Sequence, residues 1–424
     1  MENKTIISAD IEAYVLSAAK SAFQVKREFS QATTAMKNDA LRLIAAAIGD
    51  RKTAILDANR NDLGNAVNID PALLERLALT EKRVSEMING ILSVVELPDP
   101  VGTISHLGRR PSGIEVGRMR VPLGMIGIIY EARPAVTADV SALAIKSGNV
   151  ALLKGGSEAQ FSNQVIASCV REGLGAAGLP VSGIICLDTT DRRAVGTMLK
   201  LNQYIDVIVP RGGKGLCRRV ATEATMPSIK HLDGVCHVYL DDSAEVDKAI
   251  AIAINAKTQR YGTCNTMETL LATPAAASRI FPKLIEEYAL RGVELRGCSR
   301  TCEFSVSVIE VTEEDWYTEY LAPILSIKIV SDIDEAMEHI AKYGSGHSEA
   351  IVTENLSSAK KFLNEVDSSS VMVNASTRFA DGFEYGLGAE MGISTDKFHA
   401  RGPVGLEGLT SEKWVVIGDG QIRE

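Results

Sequence analysis

Short apolar runs that alternate with helix-like segments constrain the fold of this chain more than any other feature. Apolar runs at residues 125–130 and 150–153 are each followed by a helical pattern, at 137–147 and 158–174. The alternation continues to residue 209 and starts again near residue 235. Strands that alternate with helices indicate βαβ units and parallel sheets. The sequence therefore predicts an α/β fold with two parallel-sheet lobes, preceded by helices over residues 10–66. Ligands of such sheets are expected beyond the carboxyl ends of the strands.

Residues 102–122 depart from this alternation. Apolar Ile114, Val116, Met119 and Val121 are spaced among Gly, Arg and Ser, which predicts a β-hairpin or arm. Residues 413–417 form another short apolar strand near the C-terminus. Because exposed strand edges pair readily with other chains, we expect a homo-oligomer, a dimer or tetramer. The alternative is that both strands fold back on their own domain.

Composition excludes several classes of function. The net charge of −9 argues against nucleic-acid binding, which needs a basic surface. The N-terminus lacks a secretory apolar region, and no apolar run approaches the ~18 residues that a membrane span needs. The 7 scattered cysteines favour reduced thiols in the cytoplasm over a disulfide framework. Cys298 and Cys302 lack a second Cys/His pair nearby, so no metal site is predicted.

Cys264 is the strongest chemical signal in the sequence. It lies in a Gly/Thr/Asn-rich turn between a helical and a strand-like segment, whereas a structural thiol such as Cys169 lies in an apolar run. A nucleophilic thiol needs partial exposure and nearby positive charge, which Lys257 and Arg260 are expected to supply. We therefore predict that Cys264 is the nucleophile, with a buried, inert thiol as the alternative.

A glycine-rich turn offers a weaker signal. The dinucleotide motif G-x-G-x-x-G is absent after every predicted strand, and residues 212–215 are the nearest substitute. The amides of Gly212 and Gly213 are predicted to approach a cofactor phosphate at the start of a helix. The alternative is a tight turn without a ligand.

Longer motifs resemble a known family. Five segments resemble the aldehyde dehydrogenase superfamily. They are the entry strand (residues 121–129), the lysine segment (153–158), the nucleophile loop (262–264), the Glu-x-x-x-Pro segment (319–324) and the strand that follows it (373–376). Residues 130–134, 231–234, 344–349, 376–382 and 388–394 resemble one branch of it, the γ-glutamyl phosphate reductases. The resemblance runs from about residue 8 to the C-terminus.

The resemblance implies an architecture. It is that of an aldehyde dehydrogenase-like α/β protein with two Rossmann-like parallel-sheet lobes and a small β oligomerisation arm. Residues 1–101 and 123–233 would form the nicotinamide cofactor-binding domain, and residues 234–408 the catalytic domain with the nucleophilic cysteine. Residues 102–122 and 409–424 would form the oligomerisation arm and tail, which in this superfamily join across subunits.

The resemblance also implies an activity. This is the NADPH-dependent reduction of γ-glutamyl phosphate to glutamate 5-semialdehyde with release of phosphate, the second step of proline biosynthesis, through a thioester on Cys264. Lys154 would contact the adenosine ribose of the cofactor, and Glu319 the nicotinamide ribose. The substrate carries a carboxylate and a phosphate, which suit arginine forks. The side chains expected to bind the substrate are Arg133, Arg260, His347 and Arg378. A separate glutamate 5-kinase would supply the substrate.

One departure from the wider superfamily concerns water. Hydrolytic aldehyde dehydrogenases carry a Glu-Leu-Gly-Gly segment whose glutamate activates water against the thioester, and here His231-Leu232-Asp233-Gly234 takes its place. The asparagine that donates to the oxyanion is also missing, and the backbone N–H of Cys264 is one possible replacement. The alternatives are a general aldehyde dehydrogenase that oxidises a small aldehyde and a catalytically inactive binding protein.

Overall fold

The computed structural model describes residues 8–66 and 71–423 and divides into two compact units. Unit 1 comprises residues 1–230, 386–392 and 404–424, and unit 2 comprises residues 231–385 and 393–403. The sequence placed the corresponding boundary after residue 233 and kept residues 386–392 and 404–408 with the catalytic domain, so the two divisions differ there. Residues 1–7, 67–70 and 424, which the predicted domains include, lie outside the described residues.

The first part of unit 1 is helical, as the sequence predicted for residues 10–66. Its helices are α1 (Ser8–Gln24), α2 (Lys26–Gln31), α3 (Thr34–Asp50), α4 (Lys52–Asn65), α5 (Pro71–Leu77) and α6 (Glu81–Glu96). Thr33 is the N-cap of α3 and Thr80 is the N-cap of α6, because each hydroxyl accepts a hydrogen bond from an amide of the first turn.

A hairpin and an alternating series follow in unit 1. The hairpin consists of β1 (Ile104–Arg109) and β2 (Glu115–Pro122). The series consists of β3 (Met125–Tyr130), α7 (Pro134–Lys146), β4 (Val150–Gly155), α8 (Gln160–Ala176), β5 (Ile184–Cys186), α9 (Arg193–Met198), β6 (Val207–Arg211) and α10 (Lys214–Glu223).

Unit 2 repeats the alternation. Its elements are β7 (Cys236–Leu240), α11 (Val246–Thr258), β8 (Met267–Ala272), α12 (Pro274–Leu290), β9 (Glu294–Gly297), α13 (Ser299–Cys302), β10 (Ile309–Glu310), β11 (Ile324–Ile329), α14 (Ile333–Tyr343), β12 (Ser348–Val352), α15 (Leu356–Glu365) and β13 (Ser370–Val373). The chain ends with a two-stranded sheet of β14 (Gly392–Ser394) and β15 (Gly402–Val404), followed by β16 (Thr410–Ile417).

The parallel sheet of unit 1 has the strand order β5-β4-β3-β6. Every residue of β3 and β4 is buried, as expected for strands covered by helices on both faces. Asp62 of α4 determines where α8 begins, because its carboxylate accepts hydrogen bonds from the amides of Phe161 and Ser162 at 3.0 and 2.8 Å. This contact anchors the start of α8 and thus the loop after β4, the strand that contains Lys154.

The parallel sheet of unit 2 has the order β10-β9-β11-β8-β7-β12-β13. Its central strands β8, β7 and β12 are buried throughout. Successive residues of β7 belong to different cores: Val238 packs with Leu270 and Phe281, whereas Tyr239 packs with Phe362. Because side chains alternate across a strand, this separation means that helices cover both faces of the sheet. The predicted α/β class with parallel sheets is therefore confirmed.

The predicted hairpin at residues 102–122 is confirmed, since β1 and β2 pair antiparallel. The C-terminal strand β16 completes a sheet of order β1-β2-β16 by pairing antiparallel with β2 of the same chain, from Thr410 opposite Pro122 to Ile417 opposite Glu115. The tail therefore covers one edge of its own hairpin, and β16 has the outer edge. Over the described residues, no helix has the length and apolar character that crossing a membrane requires.

Candidate active site

The loop that carries Cys264 is a tight turn between α11 and β8. Threonine hydroxyls close the turn: Thr266 donates to the Arg260 carbonyl at 2.6 Å, and Thr263 donates to the same carbonyl at 3.2 Å. The Thr266 amide also donates to the Thr263 carbonyl at 3.0 Å. Cys264 is partly exposed, in contrast to the buried Cys169 and Cys236. The threonines that distinguished this loop in the sequence thus hold its backbone in the turn.

Three loops bring reactive side chains to the same end of the sheet in unit 2. His231 precedes β7, Cys264 precedes β8 and His347 precedes β12, and these three strands are neighbours in the sheet. Their nitrogen and sulfur atoms lie within 4.8 Å of one another. Because each residue comes before its strand, the cluster lies at the amino ends of the strands. The sequence expectation placed ligands beyond the carboxyl ends, whereas these three side chains lie at the opposite edge of the sheet.

Hydrogen bonds define the roles of the two imidazoles. His231 Nδ1 lies 3.1 Å from the Ile393 carbonyl, which can only accept, so Nδ1 carries the proton and Nε2 is the basic nitrogen of the neutral ring. His347 Nδ1 lies 2.8 Å from the Ser348 hydroxyl. Its Nε2 has no hydrogen-bond partner among the described residues. The two rings meet edge to face, with centroids 5.3 Å apart. Each ring therefore has one nitrogen available to the thiol.

The environment of Cys264 favours its thiolate. Burial by itself would raise the pKa of the thiol, but interactions with His347 and His231 outweigh it and lower the pKa well below its usual value. Cys236 shows the opposite behaviour, since burial raises the pKa of its thiol. An imidazole beside a thiol is the arrangement that activates cysteine nucleophiles in general.

The same three residue types also bind zinc. A zinc ion at this cluster would occupy the sulfur of Cys264, so the thiol would no longer be available as a nucleophile. The cluster therefore suits either a metal ion or acid–base and nucleophilic chemistry, and the absence of a metal site stays a prediction.

The positive charge near Cys264 does not come from the predicted sources. Lys257 is fully buried and forms an ion pair with Glu268 at 2.5 Å, so its charge is balanced within the fold. Arg260 is exposed. The histidines therefore carry the stabilisation that the sequence assigned to Lys257 and Arg260.

The substrate-binding residues expected from the sequence fall in different places. Arg378 lies beside the cysteine loop, where its guanidinium donates to Thr263 and Gln259 at 2.8 Å each. Arg260 lies in the same unit at the start of this loop, and Arg133 lies in unit 1 immediately before α7. His347 is fully buried, and its contact with Cys264 favours a role in activating the thiol over the predicted role in substrate binding.

Glu319 is connected to the cysteine loop through Gly234. Its carboxylate accepts a hydrogen bond from the Gly234 amide at 3.0 Å. Gly234 packs directly against Cys264, since a Cβ at this position would lie 1.9 Å from the Cys264 carbonyl oxygen. Only glycine permits this approach of two backbones. Close backbone packing within unit 2 thus explains why the His-Leu-Asp-Gly segment ends in glycine.

Unit 1 contains a cavity of about 550 Å³. It lies beyond the carboxyl ends of β3 and β4, where the rule for open parallel sheets places ligands. Its walls include apolar, glycine, cationic and acidic residues, among them Ile129, Tyr130, Glu131, Lys154, Gly155, Ser157, Glu158, Arg192, Leu216 and Arg219. Lys154 is buried, its ammonium donates to the Gly155 carbonyl at 2.6 Å, and burial lowers its pKa. A cavity with buried and peripheral cations suits the ribose and phosphate groups of a dinucleotide.

The predicted glycine turn is used differently from the expectation. The Gly213 amide donates to the Glu131 carboxylate at 2.8 Å, and a Cβ on Gly212 would lie 2.3 Å from the same carboxylate. A cofactor phosphate would have to displace Glu131 to reach this amide. The turn therefore binds the carboxylate of Glu131, where the sequence predicted a cofactor phosphate.

Sequence reasoning missed three residues as functional groups. His231 was recognised only as the residue that replaces a glutamate, and its contact with Cys264 depends on the adjacency of β7 and β8. Arg192 and Arg219 line the cavity, whereas the sequence favoured the glycine-rich turn at residues 212–215 as the phosphate site. The sequence did offer one signal for Arg192, because it follows β5, and β5 is the neighbour of β4 in the sheet.

The lowered pKa of Cys264 predicts a distinctive pH dependence of alkylation. Thiols react as thiolates, so Cys264 should reach its maximal rate at a lower pH than Cys302, whose pKa is raised by burial. Replacing His347 with alanine should move the Cys264 profile to higher pH, because it removes a group that favours the thiolate. Iodoacetamide labelling followed by peptide mass spectrometry measures both profiles. His339→Ala, which removes a buried histidine packed on Trp316, should leave the profile in place. A wild-type profile in His347→Ala would contradict the assignment.

The comparisons with known proteins agree with these features. The sequence model of the aldehyde dehydrogenase family matches residues 4–294 and 307–415. A γ-glutamyl phosphate reductase from Thermotoga maritima is 47% identical, with 97% of this chain and 100% of that chain covered and a TM-score of 0.95.

More distant structures share the fold. A γ-glutamyl phosphate reductase from Saccharomyces cerevisiae is 32% identical over 97% of this chain and 98% of that chain, with a TM-score of 0.54. An engineered glycolyl-CoA reductase with bound NADP⁺ is 15% identical over 95% of this chain and 96% of that chain, with a TM-score of 0.68. The family match and the two reductases extend over nearly the whole sequence, and the chain therefore belongs to the aldehyde dehydrogenase family, in the branch of the γ-glutamyl phosphate reductases.

Proposed function

We propose that this protein reduces γ-glutamyl phosphate to glutamate 5-semialdehyde with release of phosphate, using NADPH and a thioester on Cys264. The observation that carries the proposal is the Cys264 thiol beside two imidazoles, in a chain 47% identical to a γ-glutamyl phosphate reductase over 97% of its length. An activated thiol with no partner cysteine in its loop suits acyl transfer.

The first step is attack of the Cys264 thiolate on the acyl carbon of the substrate. His347 or His231 holds the proton that the thiol gives up, through its Nε2. The backbone N–H of Cys264 is the proposed donor to the tetrahedral oxyanion, and one such donor contributes roughly 3 kcal/mol. Phosphate then leaves without a strong general acid, because it is already a good leaving group.

A thioester on Cys264 remains. When bound, the nicotinamide cofactor supplies the hydride that reduces the thioester carbon. The C–S bond of the resulting thiohemiacetal then breaks, and the aldehyde leaves as Cys264 returns to the thiolate. The imidazoles that lower the pKa of Cys264 also make it a better leaving group in this step.

Arginines are the proposed ligands of the substrate's anionic groups. Arg378 is partly buried, and its two hydrogen bonds to Thr263 and Gln259 hold the guanidinium beside the cysteine loop. Arg260 lies at the exposed start of the same loop. Planar guanidinium groups bind carboxylate and phosphate in bidentate fashion, so both arginines suit this substrate. Arg133 of unit 1 remains a further proposed ligand.

One observation favours a second function, the oxidation of a small aldehyde through hydrolysis of the thioester. His231 occupies the segment in which hydrolytic relatives carry the water-activating glutamate, and its basic Nε2 lies near Cys264. A neutral imidazole there has the chemistry of a general base. The requirement for phosphate separates the two functions, because only the reductase uses phosphate to resolve the thioester in the reverse direction.

We expect oxidation of glutamate 5-semialdehyde by NADP⁺ to require phosphate and to stop in Cys264→Ala. Loss of the nucleophile should lower the rate by more than about 10⁴-fold, as for other enzymic nucleophiles. NADPH formation, followed by absorbance with and without phosphate, measures the effect. Cys298→Ala, which alters another partly exposed cysteine, is the control and should retain the wild-type rate. Equal rates with and without phosphate would instead support the hydrolytic function.

The cavity of unit 1 supports the choice of NADPH. Its two carboxylates are already bonded to backbone amides, since Glu131 accepts from Gly213 at 2.8 Å and Glu158 accepts from Ala132 at 2.5 Å. Lys154 is the proposed ligand of the adenosine ribose, and Arg192 and Arg219 are the proposed ligands of the 2′-phosphate. The related glycolyl-CoA reductase, of the same fold, binds NADP⁺. Glu319 in unit 2 is the proposed ligand of the nicotinamide ribose.

Replacing both Arg192 and Arg219 with alanine should raise the KM for NADPH about tenfold or more and leave the KM for NADH unchanged. The reason is that a charge-assisted hydrogen bond to phosphate contributes roughly 1.5–3 kcal/mol. Steady-state kinetics with the two cofactors measure the difference. Arg193→Ala is the matched control, because Arg193 adjoins Arg192 in the chain but does not line the cavity. A wild-type protein that uses NADH as efficiently as NADPH would refute the cofactor assignment.

The three-stranded sheet of unit 1 supports a homo-oligomer. Trp414, Val416 and Ile417 of β16 are 63%, 60% and 52% exposed, an apolar surface on an edge strand. Such edges pair with other chains unless they are covered. We propose that β16 contributes to a dimer or tetramer interface.

We expect the wild-type chain to be oligomeric at micromolar concentration and Val416→Lys, or a chain ending at Glu412, to have a lower mass by light scattering. The lysine places a charge on the apolar edge, which disfavours its burial. Val306→Lys is the matched control, because Val306 is a fully exposed valine in unit 2. A monomeric wild type, or equal masses for wild type and both variants, would rule out β16 as an interface strand.

The substrate chemistry also defines the preceding reaction. An acyl phosphate at the γ-carboxylate of glutamate forms by phosphoryl transfer from a nucleoside triphosphate. We therefore propose a functional link to a separate glutamate 5-kinase.

A further inference from the structure

Two oppositely charged and fully buried side chains flank the cysteine loop, and the proposed chemistry does not use them. Lys257 lies in the last turn of α11, before the loop, and Glu268 lies in β8, after it. Each is 0% exposed, and the ammonium lies 2.5 Å from the Glu268 carboxylate.

Stability alone does not explain this ion pair. Burial lowers the pKa of Lys257 and raises that of Glu268 to about 7, so each charge is disfavoured and depends on the other. The desolvation of two buried charges offsets most of their attraction, and apolar side chains of similar volume generally stabilise a core at least as well. The groups that the ion pair holds in place therefore give a better explanation of its presence than stability does.

The second carboxylate oxygen of Glu268 holds the segment that contains Glu319. It accepts a hydrogen bond from the Leu321 amide at 3.2 Å. Leu321 has a φ of +53°, in the left-handed region that non-glycine residues rarely adopt. The hydrogen bond thus fixes a backbone conformation that leucine does not favour by itself.

The neighbouring residue is held as well. The Tyr320 hydroxyl lies 2.8 Å from both Asp315 and Ser326, and the Lys257 ammonium lies 5.8 Å from the centre of its ring. Glu319 is therefore followed by two consecutive residues in fixed positions.

The connection ends at the nucleophile. Glu319 accepts the Gly234 amide at 3.0 Å, and Gly234 packs against the carbonyl of Cys264 so closely that no Cβ fits between them. A continuous series of contacts in unit 2 thus runs from the ion pair through Leu321, Glu319 and Gly234 to Cys264.

We propose that Lys257 and Glu268 are positioning residues, which hold Leu321 and thereby place Glu319 for the cofactor and Gly234 against Cys264. The part concerning Glu319 rests on its proposed contact with the nicotinamide ribose. The decisive element is the acceptor that Glu268 offers to Leu321, and the charge of the pair serves only to keep that acceptor in place.

Two double variants isolate this acceptor. Lys257→Met with Glu268→Leu removes both charges and the acceptor at similar volume, whereas Lys257→Met with Glu268→Gln removes both charges and keeps an amide oxygen for Leu321. We expect the first variant to raise the KM for NADPH at least fivefold and to change the rate of Cys264 alkylation at least threefold. Its kcat should change less than its KM, and its melting temperature should not fall. The second variant should stay within twofold of the wild type in both measurements.

A matched control tests whether any buried ion pair has this effect. Lys37 is buried and paired with the partly buried Asp99 in unit 1, and Lys37→Met with Asp99→Asn should change neither the KM for NADPH nor the alkylation of Cys264. Wild-type KM and alkylation in the Leu variant would overturn the proposal. So would equal impairment of the Leu and Gln variants, or a similar impairment in the control. If the wild type reduced no γ-glutamyl phosphate, the proposed function would fail, and the alkylation rates would still decide the effect on Cys264.

Discussion

The chemistry of this protein depends on a competition at one sulfur atom. Burial disfavours the thiolate of Cys264. Two imidazoles act in the opposite direction and prevail, which lowers the pKa of the thiol. Without them the loop would contain an inert cysteine similar to Cys236. The contacts of His231 with Ile393 and of His347 with Ser348 matter because they orient the rings toward this sulfur.

The two parallel sheets are used in different ways. In unit 1 the cavity with Lys154 lies beyond the carboxyl ends of β3 and β4, as is usual for dinucleotide sites. In unit 2 the reactive side chains precede β7, β8 and β12, so they gather at the amino ends. All amino ends of a parallel sheet lie at one edge, and three adjacent strands are therefore enough to assemble a nucleophile and two bases from distant parts of the chain. Gly234 then allows the backbone of one loop to lie directly against that of another.

His231 illustrates how one residue changes the balance between two reactions. In hydrolytic relatives a glutamate in this segment activates water, whereas here an imidazole contacts the thiol. In the proposed mechanism, His231 is not a base for water while it carries the proton from Cys264, and the thioester would then survive until it is reduced. The buried pair Lys257–Glu268 shows a related principle, since two charges that contribute little to stability constrain a strained backbone next to Glu319.

The sequence by itself determined the features that depend on local patterns. Alternating apolar runs and helical periodicity predicted both parallel sheets, and the spaced apolar residues of 102–122 predicted the hairpin. The composition of the cysteine loop singled out Cys264, and motif resemblance identified Lys154 and Glu319. Only the tertiary structure decided which residues surround them. It paired Lys257 with Glu268, Gly213 with Glu131, and Cys264 with His231 and His347. The physical reason is that turn composition and periodicity are properties of neighbouring residues, whereas these pairings depend on the strand order β8-β7-β12 and on the packing of loops at one edge of the sheet, which no local pattern encodes.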